Sequence, residues 1–183
     1  MMQTTIRPKW AQKSQSMQDY YDQYWGVPVH DDRQLFEMLS LEIFEAGLNW
    51  ALVWQRRRAL EAAFDQFDCQ RLALLTEQGI TDLLASPTII RNRDKIIAIV
   101  QNARLVTKIN SAGQSLDDYL WALVGHQVLP SPVPLDEPLP LKTRVSTNVA
   151  QQMKADGFRR VGPATAMSLM AAVGMIDVKH LQK

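Results

Sequence analysis

The amino-acid sequence predicts an all-α fold, and two observations lead to that prediction. Apolar residues recur at helical spacing along most of the chain, most regularly over residues 95–109. No segment shows the alternation of apolar and polar residues that is typical of a β-hairpin strand. With 183 residues, the chain is long enough to bury a core of its own. We therefore expect a single helical domain over residues 1–183.

The helices of the first half are predicted in order from their apolar faces and their caps. Residues 16–24 form a short helix, and Asp31 or Asp32 can cap a second helix that runs to about Ala46. A third helix is predicted over residues 50–64, where apolar side chains share one side. The next helices are predicted over residues 68–75, 81–85 and 95–109.

The second half contains one more short helix, an irregular segment and a helical hairpin. The short helix covers residues 117–125. Five prolines lie within residues 129–140, and they exclude both a helix and a central strand, so this segment is predicted as an extended surface loop. Ser146 or Thr147 begins the next helix, and Pro163 begins the last one. A helical hairpin is therefore expected over residues 147–172.

Composition and charge narrow the classes of function. A net charge of +1 argues against a histone-like grip on nucleic acid but leaves room for a locally basic face. Cys69 is the single cysteine, so neither an internal disulfide nor a cysteine-based metal cage is possible, and a reducing compartment is expected. No apolar run approaches the roughly 18 residues that span a membrane, and no secretion signal is visible. These features predict a cytoplasmic protein.

The most informative side chains lie in residues 41–50. Glu42 follows Leu35 by seven residues, near the apolar face of the second helix, where an ionised carboxylate is costly to bury without a partner. Gly47 can end that helix in a left-handed turn, and Trp50 follows it. A buried acid beside a tryptophan can form a pocket for a flat, electron-poor molecule. Spacing alone favours the alternative, a salt-bridged core glutamate beside a structural tryptophan.

The turn of the C-terminal hairpin resembles that of a helix-hairpin-helix DNA-binding element. Such turns show Gly-x-Gly followed by a small residue; here Val161 precedes Gly162, and Ala164 replaces the second glycine. Small residues let the backbone approach a phosphate, and the following helix N-terminus presents amide groups to it. Arg159 and Arg160 add positive charge beside the turn. A helix pair that binds no ligand can use the same turn.

Several blocks of the chain together resemble the DNA-3-methyladenine glycosylase I family in order and spacing. The resembling blocks are residues 20–28, 35–38, 41–42, 46–50, 89–96 and 157–163. Members of this family have a helix-hairpin-helix glycosylase fold and excise 3-methyladenine from alkylated DNA. The resemblance, which covers nearly the whole chain, implies base-excision repair of double-stranded alkylated DNA, by a protein that we expect to be a monomer.

The resemblance also implies roles for particular residues. The matching positions make Glu42 the catalytic carboxylate, which recognises the base and assists its departure, and make Tyr20, Trp10 and Trp50 the base-binding aromatic residues. Methylation at N3 makes adenine cationic, so aromatic faces and a carboxylate both attract it once it is flipped out of the duplex. Leu48, in the turn before Trp50, is a candidate wedge into the DNA stack.

Two departures from the family pattern shape the expected chemistry. Bifunctional members of the superfamily place a lysine four residues after the hairpin glycine, where this chain has Ala166, so the resemblance implies a monofunctional hydrolase without lyase activity. Typical members of the family join their termini through a zinc ion. The matching positions here are Pro8, Tyr21, Lys179 and Lys183, so we expect no zinc and termini held by packing.

Three readings of the function remain open at this point. The first is the 3-methyladenine glycosylase, in which Glu45 is expected to raise the pKa of Glu42 or to repel DNA phosphates. The second is a catalytically inactive DNA-binding protein that retains the fold. The third is a small helical enzyme unrelated to DNA, which would leave the hairpin turn and its arginines without a purpose. The retained pocket residues favour the first reading.

Overall fold

The computed structural model describes residues 7–134 and 137–179, and within these ranges the fold is helical, as predicted. The α-helices are α1 Gln15–Gln23, α2 Asp32–Glu45, α3 Trp50–Gln55, α4 Arg57–Ala63, α5 Cys69–Ala73, α6 Glu77–Ala85, α7 Arg93–Ser111, α8 Leu116–Ala122, α9 Arg144–Asp156 and α10 Pro163–Ala172. Single 3₁₀ turns cover Ala11–Lys13 and Asp65–Phe67. None of the helices in the described ranges is long and apolar enough to cross a membrane.

Side-chain caps explain where the helices near the site begin. Ser14 caps α1 by accepting a hydrogen bond from the backbone of Met17, and Asp31 caps α2 through the amide of Gln34. Asp31 rather than Asp32 is thus the cap of α2. The Asp32 carboxylate instead accepts the backbone N–H groups of Leu116 and Asp117 at 3.0 and 2.9 Å, which joins α2 to the start of α8.

The predicted third helix is two helices, and a tertiary contact accounts for the break. Arg56 separates α3 from α4, with φ −91° and ψ 0°. Its guanidinium donates to the backbone carbonyl of Thr88 at 2.9 Å. Because Thr88 is 32 residues away in sequence, no local pattern in residues 50–64 reveals this contact.

The proline-rich segment differs from the predicted loop at its first two residues. Leu129–Pro130 forms strand β1, which pairs in parallel with strand β2, Ile176–Asp177. The amide of Leu129 donates to the carbonyl of Met175 at 2.9 Å, and Pro130, which lacks an N–H, ends the pairing. The all-α prediction stands, and this short pairing was not predicted because a two-residue strand leaves no periodic pattern in the sequence.

Helix α2 lies at the centre of the core. It packs against α3, α7, α8 and α10, and its residues 35–44 are all buried. Each fully buried aliphatic or aromatic side chain contributes roughly 1.5–3 kcal/mol of transfer free energy. Because residues 35–44 of α2 are surrounded on all sides, this part of the helix has no face toward water. Glu42 is therefore buried whichever side of the helix it lies on. The carboxylate consequently needs a role or a ligand.

Candidate functional site

One cavity is lined by the residues that were predicted to bind the base. This cavity has a volume of about 1070 Å³ and lies between α1, α2, the turn before α3, and α10. The predicted residues in its wall are Trp10, Tyr20, Glu42, Leu48 and Trp50. They come from three separate parts of the chain, so the fold brings together what the sequence keeps up to 40 residues apart.

Aromatic rings surround Tyr20. Its ring centroid lies 5.0 Å from that of Trp50 and 6.0 Å from that of Trp10. The ring of Trp54 in α3, a residue that was not predicted as part of the site, lies 4.4 Å from the same ring. Burial, with a smaller effect of Glu42, raises the pKa of Tyr20 well above its ordinary value, so this phenol stays protonated and can donate a hydrogen bond.

Glu42 is buried without an ion pair. Its side chain is 4% exposed, and it forms no hydrogen bond or salt bridge within the described parts of the chain. Burial is the main cause that raises the pKa of Glu42 well above its usual range, and the nearby Glu45 adds to it. The salt-bridged core glutamate of α2 is instead Glu37, which binds the guanidinium of Arg57. The salt-bridged reading of Glu42 is therefore wrong.

Trp50 carries an unused hydrogen-bond donor in the cavity wall. Asn49 caps α3 through the amide of Ala51, and this cap places Trp50 at the first helical position. The indole Nε1 is buried and has no hydrogen-bond partner among the described residues. A buried donor without a partner costs about 1–3 kcal/mol. A ligand that offers an acceptor at this wall would recover that cost.

The turn between α2 and α3 presents Leu48 to solvent. Gly47 has φ +80°, a left-handed conformation that glycine adopts without strain, and a Cβ there would meet nothing within 4 Å. Leu48 is 39% exposed at the rim of the cavity. Leu48 is thus accessible at the rim of the cavity, and its role as a wedge stays a prediction.

The hairpin turn is ordered by its own backbone and by α7. Gly157 ends α9 with φ +109°, and Arg160 also takes a left-handed conformation, with φ +59°. Arg159 and Arg160 are exposed, whereas Val161 is buried. The buried amide of Asn102 in α7 accepts from the backbone N–H of Arg159 at 2.7 Å and donates to its carbonyl at 3.1 Å.

The N-terminus of α10 is open at the turn. Gly162 caps this helix with no side chain, and a Cβ on it would meet nothing within 4 Å. Pro163 has no N–H, so the first amide of the helix that can meet an anion is that of Ala164. Ala166, at the position of a lyase lysine, is fully buried and carries no amine.

The proline-rich segment contributes part of the cavity wall, which the sequence analysis did not foresee. Its residues Ser131, Val133, Pro134, Pro138 and Leu139 line the cavity. The segment is not only a surface connection, since Leu139 also packs against the core. Val133 and Leu139 could have indicated this contact in the sequence, because a fully solvent-exposed loop seldom needs apolar side chains.

The residues at the family's zinc positions do not fit a zinc ion. Pro8 has no side-chain donor, and Lys179 carries an ammonium that lies 4.9 Å above the ring of Tyr21. The Tyr21 ring stacks on Trp25, with centroids 5.4 Å apart. Lys183 lies outside the described residues. The described residues contain no cluster of three His, Cys, Asp or Glu side chains that could hold a metal ion.

Known proteins share both the sequence and the fold of this chain. The family model for methyladenine glycosylase matches residues 10–183. A DNA-3-methyladenine glycosylase of Haemophilus influenzae is 34% identical over 173 residues, which is 94% of each chain. A crystal structure of 3-methyladenine DNA glycosylase I is 36% identical, covers 94% of each chain and superposes with a TM-score of 0.89.

A third similar protein connects this fold to a base. It is 3-methyladenine DNA glycosylase I from Staphylococcus aureus, whose structure describes recognition of 3-methyladenine. It is 32% identical to this chain, covers 90% of it and 88% of its own length, and superposes with a TM-score of 0.83. A family model that matches nearly the whole chain, together with relatives above 30% identity over almost their full lengths, establishes the relationship. The chain belongs to the methyladenine glycosylase family.

Proposed function

We propose that this protein is a DNA glycosylase of base-excision repair that hydrolyses the glycosidic bond of 3-methyladenine in double-stranded alkylated DNA. The observation that carries the proposal is Glu42, a buried carboxyl without an ion pair in the wall of an aromatic cavity. Family membership supports the reaction. A buried carboxylate costs stability, and a cationic base is a ligand that offsets that cost.

Recognition of the base rests on charge and shape. 3-Methyladenine in DNA carries a positive charge, which the faces of Trp10, Tyr20 and Trp50 attract. Glu42 offers a carboxylate to the cation and an acceptor to its exocyclic amine. The arrival of a positive charge favours the ionised form of Glu42, which burial disfavours in the empty cavity. An undamaged, neutral adenine brings no such charge and is bound less well.

Bond cleavage asks little of the protein. The bond between the sugar and N9 breaks, its electron pair stays on the base, and 3-methyladenine leaves as a neutral molecule. The positive charge moves to the sugar, a water molecule adds to that carbon, and the water loses a proton. Glu42 lies where the cationic base binds and stabilises the charge during departure. No amine stands at the position of Ala166, so the reaction ends at the abasic site.

The protein holds DNA through the hairpin and the turn with Leu48. Arg159, Arg160 and the amides after Gly162 bind phosphates, and Leu48 fills the space that the flipped base leaves. These contacts need only a local basic surface, which agrees with a net charge of +1. A base damaged at N3 stacks and pairs poorly, so flipping it costs less than flipping a normal base.

The remaining features of the proposal concern cofactor, assembly and location. We propose a zinc-free monomer, because the residues at the zinc positions hold the termini by aromatic and cation–π contacts. We place it in the cytoplasm, in keeping with the single thiol of Cys69. Burial raises the pKa of that thiol to about 12, so it is a structural and unreactive cysteine.

The test is release of 3-methyladenine from methylated duplex DNA, with Glu42→Gln and Trp50→Ala as variants. We expect the wild type to release the base and both variants to lose about 100-fold or more in rate. Asp118→Asn, an exposed change remote from the cavity, serves as the control with the same change of charge as Glu42→Gln. Duplex binding without release of any methylated base would instead favour the inactive DNA-binding protein. A protein that binds no duplex would favour a reaction unrelated to DNA.

A further inference from the structure

The ammonium of Lys95 is buried against the end of α2. Lys95 lies in the first turn of α7, its side chain is 5% exposed, and no carboxylate within the described ranges forms a salt bridge with it. Its Nζ donates to the backbone carbonyls of Phe44 at 2.8 Å and Ala46 at 2.6 Å. These are carbonyls at the negative end of a helix, where a cation is most favourable.

These two hydrogen bonds anchor the turn that carries Leu48. Residues 46–49 are exposed, and Gly47 has no neighbour within 4 Å of a would-be Cβ. Inside the turn, the amide of Leu48 donates to the carbonyl of Glu45. Within the described residues, the ammonium of Lys95 thus joins this exposed turn to α7.

Asn102 anchors the hairpin turn from the same helix. It lies seven residues after Lys95 and is completely buried. Both polar groups of its amide are used by the backbone of one residue, Arg159. Asp94, the residue before Lys95, binds the guanidinium of Arg160 at 3.1 Å, which is a further contact between α7 and the hairpin turn. Seven residues are two helical turns, so the anchors lie on one side of α7, about 10.5 Å apart along its axis.

We propose that α7 is a rigid spacer, and that Lys95 and Asn102 are positioning residues that fix the distance between the turn with Leu48 and the hairpin turn. The inference rests on the proposed function, in which Leu48 enters the DNA stack while the hairpin holds the backbone. Both contacts must form on one duplex at once, so a loose turn would enter the stack out of register. A misplacement of about 1 Å far from the chemistry can cost about 100-fold in rate.

The experiment separates positioning from the integrity of the cavity. Lys95→Met and Asn102→Ala are compared with Val106→Ala, a control in the same helix that removes buried apolar volume but no side-chain hydrogen bond to either turn. Binding of free 3-methyladenine, followed by tryptophan fluorescence, reports on the cavity. Single-turnover release from methylated duplex reports on the complete reaction. Entry of Leu48 is followed by 2-aminopurine placed opposite a tetrahydrofuran abasic site.

Both anchor variants are expected to bind the free base like the wild type. Their release from duplex should fall about 10- to 100-fold, and the 2-aminopurine response should be lost in Lys95→Met. Leu48→Ala should slow release in the wild type and add little in the Lys95→Met background, because the residue is already out of place. Val106→Ala should release the base at the wild-type rate even if its thermal midpoint falls as far as those of the anchor variants.

Any one of several results would overturn the inference. The first is a loss of release that follows thermal stability equally in all three variants. The second is a parallel loss of free-base binding in the anchor variants, and the third is full additivity of Lys95→Met with Leu48→Ala. A wild type that releases no methylated base would contradict the proposed function itself. A wild type that releases the base together with anchor variants of equal rate would contradict only the role of α7.

Discussion

At the scale of single residues, the site depends on a carboxyl that the fold keeps away from water. No cation within residues 7–134 and 137–179 pairs with Glu42, and Glu45 adds a second negative charge at the same cavity. Structural side chains in a core are normally paired or apolar. Glu42 is neither paired nor apolar, and it lines a cavity with three aromatic rings. This combination indicates a ligand-binding site whose buried carboxyl lowers the stability of the protein without ligand.

Replacing Glu42 by Gln is expected to stabilise the protein and to abolish most of its activity. The folded-state pKa of Glu42 lies above its unfolded value, so its stabilising contribution is complete below the unfolded pKa and is lost as pH rises through the folded one. The free energy of unfolding of the wild type should therefore fall relative to Glu42→Gln between about pH 5 and about pH 8. Urea unfolding at both pH values measures the difference, and a difference that does not change with pH would contradict this burial.

Replacing Glu45 by Gln is expected to move the pH dependence of base release. Glu45 raises the pKa of Glu42, so its neutralisation lowers that pKa. If the ionised form of Glu42 binds the cationic base, release rises with pH through this pKa, and the rising limb should lie at lower pH in the variant. Asp118→Asn makes the same change of charge on an exposed helix and should leave the profile in place. Rates of base release measured across the acid pH range for the wild type and both variants test this shift.

At the scale of secondary-structure elements, the two glycines that flank α10 differ in what the fold requires of them. Gly174 has φ +73°, and a Cβ there would lie 2.4 Å from the backbone nitrogen of Pro28. Gly162 has φ −88°, and a Cβ there would meet nothing within 4 Å. The fold requires the first glycine but not the second. The open space at Gly162 is what a phosphate would occupy.

Alanine substitutions at these two glycines should have opposite effects. Gly174→Ala should lose about 1–3 kcal/mol of stability or more, because the backbone is left-handed and closely packed. Gly162→Ala should retain or gain about 0.4–1 kcal/mol, because alanine accepts this conformation. It should nevertheless bind duplex DNA about tenfold more weakly, as expected for one impaired hydrogen bond to a charged group. Denaturation together with fluorescence anisotropy on duplex tests both, and unchanged DNA affinity of Gly162→Ala would remove this turn from the interface.

What the sequence could predict at this scale depends on whether the signal is local. The end of α2 at Gly47 and the start of α10 at Pro163 follow from residues that act within one turn, and both were predicted. The break at Arg56 and the roles of Lys95 and Asn102 depend on contacts with distant backbone carbonyls. A lysine within an apolar helix face is visible in the sequence, but its partners are not. Long-range hydrogen bonds therefore account for most of what was missed.

At the scale of the whole molecule, the cavity ties the two ends of the chain together. Trp10, near the N-terminus, is part of its wall, and its ring contacts Tyr21 at 5.7 Å and Trp25 at 5.3 Å. Lys179, near the C-terminus, lies over Tyr21 and donates to the carbonyl of Asp22 at 3.4 Å. The ion pair of Arg7 with Asp22 closes the same region. One wall of the cavity thus depends on how the residues near the two termini are held.

Lys179→Met should loosen this connection, whereas a metal chelator should not. The variant loses the cation–π contact between Lys179 and Tyr21, and this loss is expected to lower the free energy of unfolding by about 0.5–1 kcal/mol. Because Trp10 packs on the ring beneath Lys179, the affinity for free 3-methyladenine should fall as well. Lys142→Met, on an exposed lysine near the start of α9, is the matched control and should change neither quantity.

Incubation with a strong zinc chelator should leave the thermal midpoint and base release unchanged, since the residues present at Pro8, Tyr21 and Lys179 offer no cysteine or histidine ligand. A thermal midpoint that falls on chelation and recovers on addition of zinc would show that the termini are joined by metal after all.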